Sequence, residues 1–225
     1  MPTPNVQAIG TAVSSTGDIA VDWPAHQAGD LGILIFEGNA SAVQRTISGW
    51  TDVEGLPEVS TSSTLQMKWK IAESSSEPYV IIFDIGDHIL ATIITIRGVN
   101  PNNPFEDIAS DHRLLSSTTV TLPAVTTNQV GSLIVAVATR GDDSSSAEFS
   151  GWSLDNVSDT WTEHFDQGTT SGDGGGIGIA SVVWTGSGST SYGTATTSSS
   201  SYQCAVTMAF ASYNDSSARV QFIGI

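Results

Sequence analysis

The chain has 225 residues, enough for one large β domain or two small ones with real cores. Its net charge of −16, from 23 acids against 7 bases, opposes nucleic-acid phosphates and anionic membrane surfaces, so neither is an expected partner. No apolar stretch reaches the length of a membrane span.

In chain order, Met1-Pro2-Thr3-Pro4 lacks the basic and apolar segments of a signal peptide, which predicts synthesis in a cytoplasm without export by the general secretory route. Leu31 to Phe36 is a short continuous apolar run, the pattern of a strand inside a sandwich. Leu65 to Ile71 alternates strictly. This predicts Leu65, Met67, Trp69 and Ile71 on one face and Lys68 and Lys70 in water. Tyr79 to Phe83 and Ala91 to Ile96 read as further strands, with Pro24, Gly55-Leu56-Pro57 and Glu77-Pro78 as breaks. Asn100 to Pro104 reads as a boundary and Phe105 to Leu115 as a crossing segment. Leu133 to Ala138, Ile177 to Trp184 and Ala205 to Phe210 are the strands beyond it. Helical periodicity is nearly absent.

The second half repeats the first. Ile47-Ser48-Gly49-Trp50 recurs as Phe149-Ser150-Gly151-Trp152, and Gly29 and Gly131 each lie 21 positions before those tryptophans. Trp69 precedes Arg97, and Trp184 precedes Ser212, by the same 28 positions, which pairs Trp69 with Trp184. An internal repeat sets architecture first. The expected fold is all-β: two related antiparallel β-sandwich, jelly-roll-like modules over 1–110 and 111–225, either separate or sharing a sheet. The second carries about thirteen extra residues, a Gly-rich insertion at about 153–180 by this alignment. Residues 168–176 within it read either as a flexible tip or as a contact surface.

Catalytic templates fail: there is no Gly-x-Ser-x-Gly elbow, phosphate loop or His-Glu-x-x-His. No catalytic, cofactor or metal residue is assigned, and a non-enzyme is expected. Cys204, the one cysteine, sits in a strand-like run and reads as a buried apolar residue. Asp87 is placed to accept from backbone amides at a turn, with His88 facing solvent or the neighbouring strand. Calcium is the one cofactor considered, at Asp142-Asp143 or Asp166 with Asp173. The repeat assigns Trp50, Trp69, Trp152 and Trp184 to the core. Trp23 and Trp161 are then candidates for an exposed contact, protein or sugar. Asp173, Gly174 and Gly175 of the insertion join them, with Phe222 and Ile223 of the C-terminal run. That run, Ala218 to Ile225, reads as a strand that pairs in its own sheet or is added to a neighbour's.

The segments Ala28-Gly29-Asp30-Leu31, Ser48-Gly49-Trp50, Gly86-Asp87-His88 and Ile96-Arg97-Gly98-Val99-Asn100 resemble virion structural proteins of tailed bacteriophages, as does the Gly168–Gly176 loop. The resemblance implies a capsid decoration or cement protein on the outer capsid surface, partnered by the major capsid protein or other virion proteins. It also implies a homo-oligomer, with a trimer among the expected forms, and a place in the virion. A tail or fibre component with a host-glycan-binding face is the alternative. The resemblance carries no catalytic residues. The second copy has Gly131-Ser132-Leu133 and Ser212-Tyr213-Asn214 in place of the acidic and Arg-Gly forms, so the module does not require those side chains.

Overall fold

A computed structural model describes residues 3–41, 45–83, 85–142 and 149–210. Among them are nineteen strands and no helix. The first nine are β1 (Asn5–Ile9), β2 (Val13–Ser15), β3 (Ile19–Val21), β4 (Leu31–Gly38), β5 (Thr51–Asp52), β6 (Glu58–Val59), β7 (Thr64–Ile71), β8 (Val80–Ile82) and β9 (Ile89–Arg97). The second set is β10 (Asp107–His112), β11 (Ser117–Leu122), β12 (Thr126–Thr127), β13 (Ser132–Arg140), β14 (Phe149–Leu154), β15 (Thr162–Thr169), β16 (Gly175–Trp184), β17 (Gly188–Ser189), β18 (Gly193–Ser201) and β19 (Gln203–Phe210).

The repeat is a repeat of topology. One sheet runs β1-β9-β4-β7-β5, with β2 also on β9 and β6 also on β7. The other runs β10-β19-β13-β16-β15. Place for place the order is the same and every pairing is antiparallel. Gly29 and Gly131 do the same job in each. Both have φ in the left-handed region, at 90° and 84°, and both donate across the sheet, to the Ala72 and Trp184 carbonyls at 2.8 and 2.9 Å.

The two sheets pack face to face. Leu31, Ile33 and Ile35 of β4, Leu65 and Met67 of β7, and Leu90, Ile94 and Ile96 of β9 share one core with Leu133, Val135 and Val137 of β13, Ile177 and Ile179 of β16, and Val206, Met208 and Phe210 of β19. The modules therefore share a core and not a sheet. On its outer face each central sheet carries a smaller layer, β3-β8 over the first and β11-β18-β14 over the second. Ile134, Ala136, Ala138, Val182 and Trp184 face one outer layer, and Leu34, Phe36, Ala91 and Ile93 face the other. Continuous apolar runs in β4 and β13 thus reflect cover on both faces.

Four expectations change. Leu31 pairs with Ile71 and Leu133 with Val183, so Trp184 stands where Ala72 stands, and Trp69 is matched by Ser181. The equal spacings that paired the two tryptophans are coincidental, since Trp69 packs on the shared core and Trp184 on the outer one. By this alignment the offset rises by ten residues, not thirteen. Lys68 is buried, not in water, because it reaches the Asp52 carboxylate beside it; Lys70 pairs with Glu77 at 2.6 Å. Phe105 to Leu115 is no crossing segment: β10 lies within it and takes the place of β1, so the second module begins just after the Asn100–Pro104 turn.

Asp30 shows what the repeat lets vary. Its carboxylate, 1% exposed, receives Arg97 Nε and Nη2 at 2.8 and 2.7 Å and the Gln27 amide at 2.9 Å. At the matching place Ser132 donates instead to Glu106 at 2.7 Å. Gly178, in β16, lies under Phe149 and Trp152, where an added Cβ would stand 2.6 and 2.9 Å from their ring atoms. Gly178→Ala is expected to destabilise by about 1–3 kcal/mol through overpacking. Gly17→Ala, whose Cβ meets nothing closer than 4.0 Å, should stay within about 0.5 kcal/mol. Urea denaturation of both variants checks the contrast.

Candidate functional site

A buried group of titratable side chains lies at one end of the shared core. Glu37, the seventh residue of β4, and His88, entering β9, are both fully buried, with Oε2 and Nε2 3.0 Å apart. Ser63 Oγ donates to Glu37 Oε1 at 3.1 Å and lies 2.9 Å from Thr139 Oγ1 of the second module. Asp87 is 3.3 Å from His88 Nδ1 through one oxygen, which also accepts from the Asp173 amide of the Gly-rich loop. Gly175 is glycine for a spatial reason: a Cβ there would run into the Glu37 carboxylate.

Burial pushes Glu37 up from 4.5 to about 7, against the opposing pull of its His88 and Ser63 hydrogen bonds. For His88 burial works downward, but the hydrogen bonds and charges of Glu37 and Asp87 outweigh it and raise the imidazole above its ordinary value. Asp87 is lowered, first by the Asp173 amide. Glu37 and His88 have no exposed face, while Asp87 beside them reaches solvent. The cluster is a polar seam that fixes the two modules in register.

The sequence candidates sort as follows. Asp87 does accept a backbone amide, and of its two expected orientations His88 takes the one toward the neighbouring strand, β4. Cys204 is buried as expected, its thiol pushed up to about 11 by desolvation. Asp173 is exposed; Gly174 and Gly175 are buried, so that part of the insertion makes its contact inside the molecule. Asp166 accepts from the Phe149 amide at 3.0 Å, and Asp142 lies 3.5 Å from Arg140. Among the described residues no group of three or more His, Cys, Asp or Glu is placed to hold a metal ion. Trp161 is half-buried on the second outer core. Asp143, Phe222, Ile223 and the rest of the C-terminal run lie outside the described residues.

Trp23 leads to an open surface. Its ring lies over Gly32 of β4, 5.2 Å from Trp50 and 5.0 Å from His26. Beside it runs a groove of about 340 Å³, with Thr46, Ile47, Ser48 and Trp50 on one wall and Pro78 to Ile81 with Phe83 on the other. The Lys70–Glu77 pair closes one end; Glu77 is held below the usual carboxylate range, where the Lys70 bond and the Glu73 and Ser74 amides prevail over burial.

β8 alternates as a strand should, but in reverse of expectation for a surface. Val80 and Ile82 point inward, and Tyr79, Ile81 and Phe83 point outward at 58%, 43% and 57% exposure. Three large apolar side chains in register on one strand form a patch of the sort that marks a contact site. The sequence missed this site because Tyr79 to Phe83 reads as an unbroken apolar run, which looks like a buried strand. No protein-family model, curated protein or solved structure matches the chain.

The seam makes a pH prediction. Glu37 and His88 both hold protons more tightly when folded. Their stabilisation is complete below the unfolded values, near 4.5 and 6.5, and is lost as pH rises through about 7 for Glu37 and through the raised value of His88. The stability lead of the native protein over Glu37→Gln should therefore narrow from pH 5 to pH 8 in denaturant titrations. A lead that stays constant would show that Glu37 does not titrate in that window.

Proposed function

We propose that the protein is a non-enzymatic virion structural protein, a capsid decoration or cement protein that docks on the outer capsid surface through the exposed face of β8. The observation that carries this is the row Tyr79, Ile81 and Phe83. In a strongly acidic chain these three side chains form an apolar strip beside an aromatic groove. Aromatic anchors of this kind contribute most of the binding energy where a partner seals them from water. The resemblance to tailed-phage virion proteins supplies the kind of assembly. The net charge of −16 suits an exterior position away from packaged DNA.

A second reading has its own observation. Trp50, Tyr79 and Phe83 around a groove that holds a Lys70–Glu77 pair could stack on a sugar while polar groups read its hydroxyls, which suits the tail or fibre role.

The test is co-sedimentation with shells assembled from a major capsid protein of the same genome. Saturable binding is expected, weakened at least tenfold by the double variant Tyr79→Lys/Phe83→Lys. Because both side chains already face solvent, the variant's unfolding free energy should change by less than about 1 kcal/mol. Clear binding to host polysaccharide, with none to shells, would replace decoration by the glycan reading.

A further inference from the structure

The groove beside Trp23 continues into two further hollows. Trp23 also lines a second one, of about 340 Å³, walled by Ala8 to Thr11, Val13, and Asp22 to Ala25. Gly10 and Thr11 of that hollow line a third, of about 510 Å³, whose other wall is Glu163 to Gln167 of β15. Each hollow therefore shares residues with the next. Together they make a track that starts at the β8 face, passes Trp23 and the turn between β1 and β2, and ends on the edge strand of the second module.

The middle of the track is fixed by backbone bonds. β1 and β2 both pair with β9, with Ile9 opposite Ile94 and Val13 opposite Ala91, so residues 10–12 join two short strands along one sheet edge. The Gly10 amide donates to the Ile93 carbonyl at 2.8 Å, and its carbonyl accepts from Thr92 Oγ1 at 3.0 Å. The third hollow is polar and equally preset. Glu163 accepts from Trp152 Nε1 at 2.8 Å, His164 Nε2 lies 2.7 Å from Ser181 Oγ, and Gln167 Nε2 donates to the Asp166 carbonyl at 2.8 Å. Each side chain is anchored through one polar atom and carries a second: Glu163 Oε1, His164 Nδ1 and Gln167 Oε1. Planar polar groups held in this way at an open surface are suited to reading hydroxyls.

Charge narrows the ligand. Among the described residues Lys70 is the one Lys or Arg that lines the track, and Glu77 holds it at 2.6 Å. Asp22 and Glu163 are exposed acids on the walls. Burial lowers His164 below the ordinary imidazole range, so it stays uncharged near neutral pH. An anionic polymer would meet repulsion along most of this path. An extended peptide also fits poorly beyond the first groove. β15 is bulged between Glu163 and Phe165, and residues 10–12 belong to no strand, so neither wall offers the unbroken ladder that strand addition requires.

We propose that the track binds a linear, uncharged polysaccharide, whose rings stack at Trp50, Trp23 and Tyr79 and whose hydroxyls are read by Glu163, His164 and Gln167. The inference rests on the glycan reading of the groove and extends it to a chain-length site spanning both modules. Trp23, the tryptophan that the repeat left without a counterpart, stands where the first two hollows meet.

The test is an array of neutral glucan, mannan, galactan and N-acetylglucosamine chains, from disaccharides to octasaccharides, beside uronic-acid and sialylated chains. The full chain should bind at least one neutral series, with the longest members at least tenfold tighter than the disaccharide, and should ignore the anionic ones. Thr11→Trp, at an exposed position where the second and third hollows meet, should remove that gain with length and leave the disaccharide unchanged. Gln167→Ala, also exposed, should weaken the long chains about fivefold through one lost hydrogen bond. Neither substitution touches the β8 face, so shell co-sedimentation should be the same for both variants as for the native chain. Disaccharide binding that gains nothing with length, or a gain that survives Thr11→Trp, overturns the track and leaves the glycan groove standing. No binding to any neutral chain overturns both. Preference for anionic chains, or displacement of the neutral chain by a basic peptide alone, overturns the uncharged ligand.

Discussion

Everything in this structure follows from central sheets that are apolar on both faces. β4 turns Leu31, Ile33 and Ile35 one way and Leu34 and Phe36 the other; β13 does the same with Leu133, Val135 and Val137 against Ile134, Ala136 and Ala138. Such a sheet needs two covers. Exposing six side chains of this size forfeits about 9–18 kcal/mol, as much as the whole stability of an ordinary domain, about 5–15 kcal/mol. Neither copy can therefore stand alone with its inner face in water. The duplication meets this constraint directly, because the surface that needs a cover and the surface that supplies it are the same sheet.

Apolar faces of similar composition can slide against each other, so something must set their register. The Glu37 seam does this at one end of the shared core. It draws Glu37 and Ser63 from one copy and Thr139 from the other, and Gly175 leaves the carboxylate its room. Removing one partner would leave a buried charge with no answer, which costs far more than the pair itself contributes. The Gly-rich loop belongs to the same device. Its Asp173 amide holds Asp87, and its buried Gly175 admits a close approach to Glu37 that a side chain would block.

What could be read in the sequence was what lies within one strand or recurs at one spacing. The β4 and β13 runs, the Gly29 and Gly131 turns and the buried Cys204 were legible on those grounds. Register was not, since Trp69 and Trp184 share a spacing but face opposite cores. The seam was invisible because Glu37 and His88 are 51 residues apart, Ser63 lies on another strand, and Thr139 comes from the other copy. The burial of Lys68 depends on Asp52 of a two-residue strand that no pattern announces. β10 was missed because its residues are half-buried and polar, and only its ladder with β19 makes it a strand. The open face of β8 was hidden by the rule that a continuous apolar run is an interior one.

That last exception is where physical cost and function meet. A soluble sheet normally protects its edges with charge, bulges or cover. β1 carries a bulge between Val6 and Ala8, β14 one between Ser150 and Ser153, and β15 one between Glu163 and Phe165. β8 has no bulge in its pairing and no charge among its outward residues Tyr79, Ile81 and Phe83. The sequence had the alternative at hand, since the same place over the second sheet is closed by a strand of its own. An edge left open in one copy and closed in the other cannot be a demand of the fold. It is a difference between two otherwise matched halves, and it leaves Tyr79, Ile81 and Phe83 in solvent on one side of the molecule only.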